Sequence, residues 1–413
     1  MANGPSIKRL HVRHLLSFGE EGIDLELGPL NVLIGPNGSG KSNLIETIGL
    51  LQNTPKDLGE PIREGGGISE WLWKGSVSKA PVAEIEALVN LSYPMERSGF
   101  RFPSSQAPSV ISVIRSIRYS LSFTKANFQL DVVNERIESE VPSPGHERPY
   151  LYFGYENGRP MLNVGGNPRF LRREEINPQQ SVLSQRKDPE QYPEVSYLGQ
   201  LFALIRLYRD WEFGINARSR EGCTPDVKVD FLEEDASNFA LVVHTLRNNP
   251  RVREELIRYM KMFYESATDV HGAVREGGRV EIFLEEVGRF TTPAIRLSDG
   301  TLRWIALLTI LLHPDPPRVV CIEEPELGLH PDMIRPLAQL LIEASKRMQL
   351  IVTTHSDDLI DGLTEVPEAV IVCEKRGAST TVQRLDRPRL TAWLEQYTLG
   401  QLWRTGEIGG NRW

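Results

Sequence analysis

The stretch "IGPNGSGKSN", Ile34–Asn43, decides how this chain is read. Gly35, Gly38 and Gly40 stand ahead of a Lys41–Ser42 pair, and Gly35 to Ser42 fits the pattern G-x-x-x-x-G-K-[ST]. Each part has a physical reason. Glycines let consecutive backbone N–H groups converge on phosphate oxygens without side-chain interference. A helix starting near Gly40 adds its positive end to the same anion. Lys41 supplies a point charge for the β- and γ-phosphates, and the Ser42 hydroxyl can ligate Mg2+. The context agrees. "LNVLI" (Leu30–Ile34) is apolar as a central parallel strand is, and Leu44, Ile45, Ile48 and Leu51 of "KSNLIETIGLLQ" share one helical face. The residues expected around the phosphates of ATP are therefore Gly35, Pro36, Asn37, Gly38, Ser39, Gly40, Lys41, Ser42 and Asn43.

The chain around this loop has 413 residues, 40% hydrophobic and 25% charged, with a formal net charge of −8. That is a globular composition, long enough for one large bilobal head or two to three ordinary domains. The acidic balance excludes an overall basic coat but leaves room for a local basic groove. Cys223, Cys321 and Cys373 contain no C-x-x-C spacing, so neither a disulfide framework nor a zinc knuckle is expected. Cys321 and Cys373 lie in apolar runs and read as buried reduced thiols. The opening "MANGPSIKRLHVRHLL" lacks the apolar run of a signal peptide. The longest apolar helix candidate, Thr301–Leu312, is too short to span a bilayer. A cytoplasmic protein with no membrane partner is expected.

Texture changes along the chain. "IDLEL" (Ile23–Leu27) and Leu30–Ile34 read as a strand pair. Residues 92–165 alternate in short runs broken by Gly, Pro and Ser, which predicts an antiparallel β section. Helical patterns span Tyr197–Trp211 and Asn238–Tyr264, and Gly278–Glu286 reads as a strand. In the last third, "RVVCIEE" (Arg318–Glu324), "QLIVTTHS" and "AVIVCEK" are strands around a helix introduced by Pro331. Alternating strands and helices predict a mostly parallel core sheet. The expected fold class is α/β, with a lobe over residues 1–235 and a second over 236–413. The tail Leu399–Trp413 reads as either a docking element or a strap packing Trp403 and Trp413 onto the core.

A phosphate loop needs a carboxylate at a neighbouring strand end, and "VVCIEEPELGLHP" supplies two. Glu323 is expected to face the magnesium shell, and Glu324 to orient the attacking water or accept its proton. His355, in "TTHSDD" after the next strand, is placed to contact the γ-phosphate. In "RLSDGTLRWIALL", Ser298, Asp299 and Gly300 precede an apolar helix, so its free N–H groups are either capped or turned to a phosphate.

Taken together, Gly35–Ser42, Leu297–Gly300, Glu323–Pro325, Leu327–Pro331 and His355 resemble the Walker A, signature, Walker B, D-loop and switch-histidine elements of an ABC-type ATPase head. The phrases "LSDGTLRW", "EEPELGLHP" and "TTHSDDLID" are similar to RecF-like predicted ATPases, which include the ATPase part of OLD-family proteins and of prokaryotic phage-defence systems. The resemblance implies a P-loop NTPase of two lobes forming a head-to-head dimer. ATP on Lys41 of one subunit would be closed over by Ser298 and Gly300 of the other. It also implies a Q-loop glutamine on the metal, for which Gln180 is the candidate and Gln185 the runner-up. One departure matters: the family's usual first Walker B acid is Asp. Glu323 is one methylene longer, so contact with the metal through a water is expected.

The resemblance leaves the partner open. No sustained heptad run fills the stretch between Lys41 and Ser298, so a long-armed SMC protein is not expected. The stretch after "AVIVCEK" is too short for an appended nuclease domain. A separately encoded effector, a nuclease or a toxin, or a DNA-sensing role is expected instead. Arg169, Arg172 and Arg173, Arg115 and Arg118, and Arg218 and Arg220 are the candidates for a DNA backbone track. A transporter subunit fits poorly, because Ser298 is followed by Asp-Gly-Thr where transporters carry Gly-Gly-Gln. A scaffold that binds ATP with little hydrolysis, and a repair factor loading proteins at DNA gaps, stay open.

Overall fold

The computed structural model describes residues 5–75, 81–90, 116–142, 145–156, 158–209, 211–227, 229–275 and 277–410. Arg115, Trp413 and the side chain of Arg173 lie outside the described residues. Two compact units account for the chain. The first holds Met1–Ile205, Ile371–Arg384 and Gly409–Trp413, and the second holds Arg206–Val370 and Leu385–Ile408.

The first unit contains an eight-stranded sheet in the order Ile23–Glu26, Ile7–Arg13, Ala83–Asn90, Ser116–Ala126, Gln129–Pro142, Pro149–Glu156, Arg159–Val164 and Asn167–Phe170. Its pairings are antiparallel, so the expected antiparallel section exists, and it begins earlier, at Ile7. Register follows the hydrophobic pattern: Ile85, Ala87 and Val89 alternate inward and face Leu121, Tyr119 and Ile117. A two-residue hairpin links the next pair, with Asn127 and Phe128 both at positive φ, 49° and 66°, the turn whose twist matches the strands.

The expected strand pair is corrected. Ile23–Glu26 belongs to this sheet, while Leu30–Ile34 lies in another, beside Val370–Arg376, which pairs antiparallel with Ser379–Arg384. The burial patterns explain the parting. Ile23–Glu26 alternates buried and exposed residues as a sheet edge does, whereas Leu30–Ile34 is buried throughout. Asn31 fixes the bend between them, accepting from Gly28 N and donating to Gly28 O, both at 2.8 Å.

The second unit is built on parallel strands Arg206–Tyr208, Val319–Glu323 and Gln349–Thr353, with Glu323 opposite Thr353. A three-stranded antiparallel sheet, Ala267–Val274, Val280–Glu286 and Phe290–Pro293, lies in the same unit. Helix Asp299–Leu311 is apolar on nearly every side and is buried accordingly. Its Trp304 is fully buried, stacks on Phe263 and donates Nε1–H to Tyr259 O at 3.2 Å. Burying a side chain of that size contributes about 5 kcal/mol of gross transfer free energy.

Two helical expectations are corrected here. The Tyr197–Trp211 block is a helix, Pro193–Ala203, followed by the short strand Arg206–Tyr208, because pairing with Val320–Ile322 satisfies that backbone better than another helical turn. The Asn238–Tyr264 block is two helices, Phe239–Arg247 and Pro250–Phe263. Pro250 has no N–H with which to continue the first, and Asn249 caps the second. Pro331 opens a 3-10 turn, Pro331–Met333, that runs into helix Ile334–Ser345. The tail adds helices Arg387–Leu394 and Leu399–Thr405, and Trp403 is buried.

Candidate functional site

The glycine loop joins the buried strand Leu30–Ile34 to helix Lys41–Asn53, as the sequence predicts. Two glycines are obligatory. At Gly35, φ is 146° and a Cβ would stand 2.2 Å from Cys373 O; at Gly40, φ is 97° and a Cβ would meet Thr380 Oγ1 at 2.3 Å. The loop is braced from outside its own sequence. Thr380 Oγ1 donates to Ser39 O (3.0 Å) and shares a 2.8 Å bond with Ser17 Oγ, which accepts from Asn43 Nδ2 (2.7 Å). Lys41 Nζ donates to Gly35 O (2.8 Å) and Pro36 O (3.1 Å), which holds the ammonium over the loop. Ser39 Oγ is buried with no hydrogen-bond partner among the described residues. A buried cation, an orphaned hydroxyl and a helix N-terminus at one loop fit a phosphate chain and its metal, with Ser42 in the first turn of the helix. Cys373, beside the loop, has its thiol pushed up to about 12 by burial against the pull of Lys41, and all three cysteines are free and buried.

In the second unit, strand Val319–Glu323 ends where the backbone turns left-handed: Glu324 has φ 45°. That conformation costs a non-glycine residue about 1 kcal/mol. It is held by Glu324 N, which donates to Thr353 O (3.0 Å) and Thr353 Oγ1 (3.2 Å). The turn places the Glu324 carboxylate 3.6 Å from His355 Nε2. Glu323 remains on the strand, 3.4 Å from Arg209 Nε. Glu326 accepts from Thr354 Oγ1 (2.6 Å) and His355 N (3.0 Å), and burial pushes its carboxyl above the usual range against those bonds.

Ser298 caps helix Asp299–Leu311, accepting from Thr301 N at 3.1 Å and sharing a 2.7 Å bond with Thr301 Oγ1. Gly300 is needed for packing: a Cβ there would lie 2.5 Å from Gly328 O, so the start of helix Asp299–Leu311 and the turn at Gly328 touch through two glycines. Arg220 anchors the same segment. Its side chain, 6% exposed, donates to Phe213 O, Ala294 O and Leu297 O, each at 2.8 Å, and pairs with Asp299. A cavity of about 510 Å3 opens here, lined by Trp211, Phe213, Asp299, Gly300, Arg303 and Leu327 among others.

Other candidate residues have partners within their own units. Gln180 hydrogen-bonds within the first unit, accepting from Leu58 N (3.1 Å) and donating to Asp57 Oδ1 (2.6 Å). Gln185 is likewise used, accepting from Asn177 N at 2.8 Å. The DNA candidates are largely neutralised: Arg118 pairs with Glu86 and Glu138, Arg169 with Glu175, Arg218 with Asp235, and Arg220 is internal. Ser17, Thr380, Arg209, Arg220 and Glu326 are site residues the sequence reading assigns no place around the nucleotide. Only Glu326 carried a signal, its position inside "EEPELG". A separate cluster, Asp269, His271 and Glu285, has metal-ligand chemistry, but Arg247 and Arg253 already neutralise Asp269.

Comparison with known proteins follows these features. Residues 30–361 match the family model described as "AAA domain, putative AbiEii toxin, Type IV TA system". Among solved structures, the Smc head bound to the C-winged helix domain of ScpA is similar, with TM-score 0.54, 16% identity, 94% of this chain and 100% of that one. A Pyrococcus furiosus Smc head with an extended coiled coil, bound to the C-terminal domain of ScpA, gives TM-score 0.55, 15% identity and coverage of 95% and 99%. A Pyrococcus yayanosii Smc head with a coiled coil and joint gives 0.50, 12%, 95% and 99%. At such identities the likeness establishes the fold, an α/β P-loop NTPase of the ABC type. A 91-residue stretch is 35% identical to the histidine–tRNA ligase of Alkalilimnicola ehrlichii, over 19% of this chain and 21% of that one. The chain thus spans about a fifth of that relative's length. No helix among the described residues is long and apolar enough to cross a membrane.

Proposed function

This chain belongs to the family of AAA domains described as putative AbiEii toxin, Type IV TA system, and from that premise we propose that it hydrolyses ATP as an ATP-gated dimer of the RecF-like and OLD-like kind. The observation that carries this reading is Glu324, held in a strained left-handed turn 3.6 Å from His355. Strain of this sort persists where surrounding structure fixes a working geometry.

The residues take the following roles. Lys41 Nζ leaves the Gly35 and Pro36 carbonyls for the β- and γ-phosphates, and the loop amides and Ser39 bind their oxygens. Mg2+, when bound, neutralises charge developing on the phosphates. Ser42 and Glu323 would hold it. Glu324 orients the attacking water and accepts its proton, and His355 registers the γ-phosphate. The Ser298 and Gly300 helix terminus of one copy closes over the nucleotide of the other, so ATP favours the dimer by mass action. The whole chain acts as one head in the cytoplasm.

The work is done on a protein effector, a toxin or nuclease encoded separately. DNA contact is the weaker alternative because Arg118, Arg169, Arg218 and Arg220 among its candidate arginines are already paired. One observation favours a second reading, a nucleotide-binding scaffold with slow turnover: Arg209 stands 3.4 Å from Glu323 and competes for that carboxylate.

The test uses the full chain, with mass measured by light scattering and phosphate release followed together. ATP is expected to convert wild type to a dimer transiently, and Glu324→Gln to trap that dimer while release falls about 100-fold or more. Lys41→Ala should lose both. Identical masses with and without ATP in wild type and Glu324→Gln refute the gated dimer. A dimer that forms with equal, negligible release in both proteins selects the scaffold.

A further inference from the structure

We propose that Glu326 is a positioning residue that ties the histidine segment Thr354–Ser356 to the acidic turn Glu323–Glu326. The inference rests on the ATPase reading for its consequence, and on geometry for its substance. One oxygen, Oε1, accepts from Thr354 Oγ1 at 2.6 Å and from His355 N at 3.0 Å. Thr354 is fully buried, and its hydroxyl also accepts from Ser356 N at 3.0 Å. Ser356 in turn caps helix Asp357–Asp361 by accepting from Leu359 N at 3.2 Å. A single carboxyl oxygen therefore organises three consecutive residues and the helix that follows.

The tie works alongside a second one. Glu324 N is bonded to Thr353, so the two chain segments are joined on both sides of the Glu324–His355 pair. Without Glu326, the hydroxyl of the buried Thr354 and the N–H of the half-buried His355 lose their acceptor, and the His355 backbone can drift. A misplacement near 1 Å at a catalytic group costs on the order of 100-fold in rate. The other oxygen, Oε2, is buried and makes no hydrogen bond among the described residues. Burial also pushes this carboxyl upward, toward its neutral form. The role is thus that of an acceptor held in a dry place, which an amide oxygen fulfils equally well. A charge or a transferable proton is not required of it.

This separates Glu326 from Glu324 experimentally. Glu326→Gln should keep kcat within about threefold of wild type, whereas Glu326→Ala should lower kcat about tenfold or more with KM for ATP changed less than about threefold. Thr354→Val should fall between them. Hydrogen exchange by mass spectrometry should show faster exchange over residues 354–356 in Glu326→Ala, restored in Glu326→Gln. A folded Glu326→Ala protein with wild-type kcat and exchange overturns the proposal. So does a Glu326→Gln protein as impaired as Glu326→Ala, which would mean the carboxyl acts by charge or proton transfer. Should wild type neither bind a fluorescent ATP analogue nor release phosphate, the ATPase reading fails by itself. The exchange comparison between the Ala and Gln variants then still decides whether Glu326 holds this segment.

Discussion

Glu135 gives the sharpest quantitative prediction, through the dependence of stability on pH. It lies in strand Gln129–Pro142, 2% exposed. Its carboxyl accepts from Ser181 Oγ, Val182 N (2.7 Å) and Tyr119 OH (2.8 Å). Burial pushes the carboxyl up, the three donors pull it back, and burial prevails at about 7, against an ordinary value of 4.5. A group raised on folding contributes stability fully below its unfolded value and loses it as pH climbs through the folded one. The window is therefore pH 4.5 to about 7. At about 1.4 kcal/mol per pH unit, the loss across it is about 3 kcal/mol. Glu135→Gln cannot ionise, and its amide can accept from Val182 N while the two hydroxyls turn to accept from its NH2. Melting is measured by calorimetry for both proteins at half-unit steps from pH 4 to 8. The wild-type melting temperature should fall relative to the variant by roughly 6 °C or more between pH 4.5 and 7.5, if this unit melts as its own transition. Parallel profiles for the two proteins would refute the reasoning, since they would mean that the carboxyl ionises as readily folded as unfolded.

Three further outcomes follow from particular contacts. At Glu324, with φ 45°, Glu324→Gly should be more stable than Glu324→Ala by about 1 kcal/mol while both lose phosphate release; chemical denaturation compares them. Arg220→Ala leaves the Asp299 carboxylate and the four carbonyls of Phe213, Gly214, Ala294 and Leu297 without their donor, so a loss of about 3 kcal/mol in denaturation is expected, with Arg220→Lys intermediate. Gly35→Ala forces a Cβ to within 2.2 Å of Cys373 O; the protein should bind a fluorescent ATP analogue at least about tenfold more weakly, because the loop must shift to relieve the clash.

The sequence by itself determined the glycine loop between strand and helix, the acidic strand end, the histidine strand end and the capped apolar helix. These are local: a glycine spacing, a buried strand followed by a turn, or a cap before an apolar run is set by backbone sterics and periodicity within about ten residues. It determined the fold class by the same means, through alternating strands and helices around those motifs. The tertiary structure alone decided which side chains brace them. Thr380 supports a loop more than 300 positions earlier, Arg220 reaches Leu297 and Asp299, and Glu326 reaches Thr354, because contacts across such separations leave no periodic trace in one chain. It also decided that Gln180 serves Asp57 and that most DNA-candidate arginines are paired. A polar side chain's role depends on the partner that reaches it first, and a sequence lists the candidates without the distances.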